Sequence, residues 1–388
     1  MEIKDRVNKE KDYIIGLRRY FHSHPEASLK EFNTANKIEE ELDKLQIPHE
    51  RVGETGIVGY IGGLNPGKTL ALRADIDAIE IQEKNDIDYA SRNEGLMHAC
   101  GHDGHTASLL GAAKILKEQE DSIKGKIKLF FQQAEEIGQG ARQFVSLGHL
   151  KDVDNVFGYH VATGLDTGKI EVTPGAVLAS CDYFKATVQG KSGHIGSPHL
   201  GVDALYIACQ SVVNLQGIVT KKTSPLDPVV IGVGVLNSGT RYNIIAGEAV
   251  VEGTFRTFSQ KTRAETQGAI GRVFNTTAQA YNGKVDIEFR SYSSPVINDE
   301  ALAKFAADIA KRLVGEDNVN TNQEKALGAD DFSELQLEVP GVYVNIGARD
   351  PKNKSTHFSH HHENFNIDEK ALLIGTQFYV EYTLEYLK

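Results

Sequence analysis

Apolar and polar positions change period along this chain, and the changes divide it. Residues 3–22 (IKDRVNKEKDYIIGLRRYFH) and 31–46 space apolar side chains three to four apart, which predicts amphipathic helices. Short apolar runs follow. ETGIVGYIGG (54–63) and KTLALRAD (68–75) read as a strand pair, and KIKLFFQQ (126–133), NVFGYHV (155–161) and PGVYVNIG (340–347) as further strands. Helical spacing occupies 105–119 and 138–148. Strands alternating with helices predict an α/β fold around a mixed, mostly parallel sheet.

The middle of the chain follows another order. DYFKATVQGK (182–191) reads as an alternating strand and precedes a helix near 202–219. PVVIGVGVLN (228–237) and AVVEGTFRTF (249–258) read as strands, then comes a helix near 260–281 and a strand KVDIEFRSY (284–292). Strand, helix, strand, strand, helix, strand is the order of a ferredoxin-like α+β sandwich. The pattern predicts an inserted domain, 182–294, within a larger one built from 1–181 and 295–388. A length of 388 residues suits two cores.

Charge and composition narrow the partners. Forty-two basic against 53 acidic residues leave −11, which argues against nucleic acid or an anionic membrane as the main partner, though a locally positive pocket can still take a small anion. The N-terminus lacks the apolar core of a signal peptide, and no run of 18 apolar residues predicts a membrane span. Cys100, Cys181 and Cys209 are odd in number and far apart, so a disulfide framework is not expected and a reducing cytoplasm is.

Candidate chemistry gathers at strand ends. Asp75 and Asp77 follow KTLALR, Glu135 and Glu136 follow KIKLFFQQ, and His160 closes NVFGYH. Sites in open α/β sheets form beyond the carboxyl ends of strands. GLMHACGHDGHTA (95–107) adds Cys100 and His102, whose thiolate and imidazole suit zinc and similar metals. Three readings stand for that segment: metal site, Cys–His nucleophile, or a glycine turn with a buried cysteine. Adjacent Glu135 and Glu136 suit a division between ligand and general base, or a solvated strand end. His160 is either a satisfied core histidine or a ligand. The Arg256 fork suits a carboxylate or a sheet-surface ion pair. The cluster STHFSHHHENFN (355–366) offers His357, His360, His361 and His362, of which one is expected to ligate.

Taken together, these segments resemble the two-metal amidohydrolases that include bacterial hippurate hydrolases, N-acyl-amino-acid amidohydrolases, plant auxin-conjugate hydrolases and acetyl-diaminopimelate deacetylases, distant relatives of aminoacylases and carboxypeptidase G. The resemblance spans nearly the whole chain: LRRYFHSHPEAS (17–28), LRADIDAIEIQE (72–83), MHACGHDGHTASLLGAA (97–113), FFQQAEE (130–136), GYHV (158–161), GKSGHIGSPHLGVDA (190–204), RYNIIAGEAVVEGTFRTF (241–258), GADDFSEL (328–335) and HHENFNIDEKAL (361–372). It implies a zinc-exopeptidase-like catalytic domain with an inserted lid and dimerisation domain. It implies two divalent ions, zinc, manganese, cobalt or nickel, bridged by Cys100 and held by His102, Glu136, His160 and His361. Glu135 would be the general base and Asp77 an orienting carboxylate. His194 would reach a neighbouring subunit's site in a homodimer, and Asn243 and Arg256 would hold substrate. The implied reaction is amide hydrolysis of N-acyl amino acids. A dipeptidase or carboxypeptidase using the same centre, and a silent metal- or ligand-binding relative, are the alternatives. Three departures stand out: Gln133 where the family has proline, Asp330 where it has glutamate, and no proline after the histidine pair.

Overall fold

The computed structural model describes residues 2–388. The chain forms two compact units. One runs to Gly175 and resumes at Ile297–Glu324 and Asp331–Lys388, and the other comprises Ala176–Val296 with Lys325–Asp330. The second unit thus begins six residues before the expected boundary. The backbone N–H of Ala179 donates to the carbonyls of Ala326 and Gly328, which binds a distant segment into this unit.

The first unit is built on an eight-stranded sheet. Its order is His49–Val52, Gly56–Gly62, Lys124–Gln132, Asn65–Asp75, Asn155–Asp166, Gly341–Arg349, Ile170–Glu171 and Val319–Asn320. The four strands from Lys124–Gln132 to Gly341–Arg349 run parallel. Their sequences are almost continuously buried rather than alternating, as in a parallel sheet covered on both faces. Helices Lys11–Ser23 and Lys370–Tyr386 both pack on helix His102–Lys117, whose residues are nearly all inside. Phe157 stacks on Tyr382 at 4.2 Å between ring centroids, and each such buried ring contributes roughly 1.5–3 kcal/mol of transfer free energy.

Two local expectations change. Residues 3–22 form two helices, Ile3–Lys9 and Lys11–Ser23, broken at Glu10, which takes a bridge conformation while its carboxylate accepts from Lys114. His160 does not close its strand. Pairing with Asn65–Asp75 stops at Gly158, but pairing with Gly341–Arg349 carries the strand on to Asp166. His160 therefore stands just past the point where one neighbouring strand has ended.

In the second unit, Val229–Ser238, Glu248–Thr257, Cys181–Gln189 and Lys284–Ser293 form an antiparallel sheet in that order. Helices Ala204–Gly217 and Gln260–Ala280 cover it. Asp203 and Ser259 cap these helices by accepting from Tyr206 and Thr262 backbone N–H groups. Alternating burial along Cys181–Gln189 turns Phe184, Ala186 and Val188 onto Ile270 and Phe274.

Candidate metal centre

Cys100 and His102 flank Gly101, whose φ of +97° is left-handed. A Cβ there would lie 2.4 Å from Val161 Cγ2, so glycine lets this loop press against the strand that carries His160. His102 opens its helix. Its Nδ1–H donates to the Asp77 carbonyl at 2.9 Å, which leaves Nε2 buried and without a hydrogen-bond partner among the described residues. His160 donates from Nδ1 to the Val161 carbonyl at 2.7 Å and turns Nε2 to 3.4 Å from Cys100 Sγ.

The acids arrive through a strained turn. Ala134 has φ +54°, and the chain closes after it through Gly138 N–H donating to Glu135 O (2.8 Å) and Gln139 N–H to Ala134 O (3.1 Å). Glu136 N–H donates to Asp77 Oδ2 at 3.0 Å, while Glu136 Oε1 is buried and unpartnered. Glu135 Oε2 lies 3.9 Å from His102 Nε2. Asp77 also accepts from Ser28 Oγ at 2.7 Å and sets Oδ1 3.3 Å from His102 Nδ1, so this one residue aligns the imidazole through its carbonyl and the second glutamate through its carboxylate. Gln133, the departure from proline, is fully buried and donates to Val52 O (3.2 Å) and Gln143 Oε1 (2.9 Å), which fixes this strand end by side-chain bonds.

Among the described residues four groups of three donor atoms lie within 4.8 Å of one another, Glu135, Asp330 and Asp331 among them, and two of the four share Cys100: Cys100, His102 and Glu136, and Cys100, His160 and His360. His361 sets Nε2 3.3 Å from Glu136 Oε2 and holds φ +63°, with its N–H on the Ala99 carbonyl. The structure thus brings His360 as well as His361 to the cluster. His362 stays out of it, stacked on Phe358 and accepting from Asn364 N–H. His105 also approaches His102 and His160, but both its nitrogens are engaged: Nδ1–H donates to Asp75 Oδ1 (2.6 Å) and Nε2 accepts from Val161 N–H (2.9 Å). His98 has two buried, unpartnered nitrogens yet joins none of these groups, so an unmet nitrogen marks a ligand only where other donors converge.

Burial, with the Glu136 charge, pushes the Cys100 thiol up to about 12. Burial and neighbouring His105 hold His160 well below the ordinary imidazole range, and burial takes His360 to about 4. Burial opposes protonation of His102, yet Asp75 holds it well above its usual value. Cations would ionise the thiol and displace the His102 proton, and sulfur, imidazole and carboxylate together suit borderline transition metals better than a hard ion's oxygen cage. The donor set and its orphaned atoms fit a pair of divalent ions.

Three expected substrate residues lie in the second unit. His194 faces Ile244 in a two-stranded ladder and is exposed, with Nδ1 accepting from Gly196 N–H. Asn243 adjoins that ladder and carries a buried, unpartnered Oδ1. Arg256, on Glu248–Thr257, makes no ion pair among the described residues and donates to the Leu327 carbonyl at 3.4 Å. Neither Glu31 nor His105 was singled out from sequence, although both are fully buried polar residues beside the cluster.

A parallel-sheet rim gathers thiol, imidazole and carboxylate donors beside a further glutamate, the donor set of a transition-metal centre. Residues 71–385 match the family model of peptidase family M20/M25/M40, and the chain belongs to that family. Thermostable carboxypeptidase 1 of Saccharolobus solfataricus is 36% identical over 380 residues, covering 96% of this chain and 95% of that protein. N-acetylcysteine deacetylase of Bacillus subtilis is 36% identical over 373 residues, 95% of each. The crystal structure of the Bacillus subtilis YXEP protein, described as a dinuclear metal binding peptidase from the M20 family, superposes with a TM-score of 0.85 at 33% identity, covering 98% of this chain and 99% of that one.

Proposed function

We propose that this enzyme hydrolyses the amide bond of N-acyl amino acids, releasing a carboxylate and a free amino acid. The observation that carries the reading is the pair of donor triangles sharing Cys100, with Glu135 beside them. Cys100, His102, Glu136, His160 and His361 are the proposed metal-holding residues, with His360 a further candidate. Two divalent ions held there supply Lewis acidity toward a carbonyl oxygen and lower the pKa of water. Glu135 takes a proton from the attacking water and returns it to the leaving nitrogen. Asp77 keeps His102 and Glu136 aligned. Arg256, uncommitted to any acid among the described residues, suits the substrate carboxylate, Asn243 its carbonyl, and His194 of a second copy of the chain the developing oxyanion.

The strand order of the second unit supports a ferredoxin-like lid and dimerisation domain. Val229–Ser238 is an edge strand, and helix Ala204–Gly217 exposes Leu205, Tyr206 and Val213, a surface that suits a second copy of the chain. No helix among the described residues is long and apolar enough to cross a membrane. The three cysteines are free, which suits the reducing compartment proposed for this chain. The carboxypeptidase reading rests on the same Arg256 and on the Saccharolobus relative.

Acetyl- and benzoyl-amino acids, tested beside dipeptides and longer peptides on protein refilled with zinc, manganese, cobalt or nickel, separate the two. Higher kcat/KM on acyl-amino acids is expected. Preference for peptides would transfer the assignment to the carboxypeptidase.

A further inference from the structure

We infer that Glu31 is a positioning residue for the general base, acting through the backbone of Ala134; this rests on the assignment of Glu135 above. Glu31 precedes helix Phe32–Lys44, at the position whose side chain ordinarily caps a helix. It does not cap. Glu26 takes that task, accepting from the Asn33 and Thr34 N–H groups at 3.2 and 2.7 Å. Glu31 is thereby released to turn inward, fully buried, where Oε1 accepts from Ala134 N–H at 2.9 Å and Oε2 from Thr55 Oγ at 2.7 Å.

Ala134 is where the chain needs a hold. Its left-handed φ of +54° is unfavourable for any residue with a Cβ, and the turn it starts delivers Glu135 and Glu136. Two carboxylates grip that turn, Glu31 on the N–H of Ala134 and Asp77 on the N–H of Glu136. The general base lies between the two clamped amides, so its backbone direction is fixed from both sides. Placing two acids so close is costly. Burial, together with the Asp77 charge, raises the Glu31 carboxyl to about 7. A buried acid that neither caps its helix nor pairs with a cation needs another reason to be there, and holding the strained turn supplies one.

The test compares Glu31→Gln, Glu31→Asp and Glu31→Ala in the metal-loaded enzyme, reading kcat, KM, bound metal and melting temperature. Glutamine keeps an oxygen for Ala134 N–H, while its amide nitrogen donates to a rotated Thr55 hydroxyl, so kcat stays within about twofold. Aspartate keeps the charge but is one methylene short, and kcat falls about tenfold with KM and metal content unchanged, the scale of outer-sphere substitutions. Alanine loses as much or more, and adding Ala134→Gly to it recovers part of kcat, because glycine adopts positive φ without penalty. The opposite ranking, with aspartate active and glutamine slow, would assign the effect to charge and overturn the inference. So would a Glu31→Ala enzyme of unchanged kcat, or no recovery from Ala134→Gly. Should alanine fail to fold, the glutamine–aspartate ranking decides alone. Glu135→Ala, run in parallel, tests the underlying assignment: if it stays active, that assignment falls, whereas an inactive Glu135→Ala beside an indifferent Glu31→Asp removes only the present inference.

Discussion

His102 and His105 stand one turn apart on one helix, both shut off from water and both near Asp75, yet their nitrogens are satisfied differently. His105 belongs to a saturated layer. Asp75 takes its Nδ1–H and accepts from Arg73 at 2.6 Å, and Arg73 continues to Gln132 Oε1 and Asp331. Asp331 accepts in addition from Gln132 and from the Ala141 N–H. His102 belongs to the rim, where its own Nε2, Glu136 Oε1 and His360 Nδ1 have no hydrogen-bond partner. Buried polar atoms left unmet cost about 1–3 kcal/mol each, so a cluster of them aimed at one another is sustained by something that binds there. The saturated layer carries that burden: it fixes the rim's geometry before any ion arrives.

Substitutions on either side of this divide should behave differently. The largest effect is expected at the rim, where Glu135→Ala should lower kcat by about 10²–10⁴-fold while the protein keeps its metal. Near-normal turnover would remove Glu135 from its role. Next comes Asp103, in a second buried network, where Arg18 Nε donates to it at 2.9 Å and His22 Nδ1 lies at 2.8 Å. Burial opposes ionisation of Asp103, but the Arg18 charge holds its carboxyl well below the ordinary range. A depressed carboxyl stabilises the fold above its unfolded value, about 4, and that contribution is lost as the pH falls below it. Asp103→Asn should therefore destabilise metal-free protein by about 3–5 kcal/mol near neutral pH and flatten the acid limb of its stability curve, measured by urea unfolding at several pH values. An unchanged acid limb would count against that pairing. The smallest effect is expected in the saturated layer. His105→Ala should slow turnover about 10–100-fold, with less loss of metal than His102→Ala suffers. Equal metal loss in dialysis would erase the distinction between the two histidines.

Much of this was legible in the chain. Continuous apolar runs marked the parallel strands, and alternation marked the strand at 182–191 of the second unit, because each period reports how many faces are covered. Acids at strand ends pointed to the rim. Other features depend on partners distant in sequence. The pairing of Gly341–Arg349 carries the His160 strand past its apolar stretch, and Ala326 joins the second unit through backbone bonds to Val177 and Ala179. Glu31 sits in SLKEFN, where an acid reads as solvated surface, and nothing local shows that Glu26 has taken over the cap. The histidine run showed abundance without direction. Backbone conformation at His361, its approach to Glu136 and the packing of His360 against His160 separate them from His362, which stacks on Phe358.

The central claim is that the unmet donors of the rim grip two cations. Metal-free protein refilled with zinc or manganese and analysed for bound metal by equilibrium dialysis tests it directly. Two ions per chain, with activity rising as they fill and weakened uptake in Cys100→Ser, is the predicted result; full activity with no ion bound would contradict it.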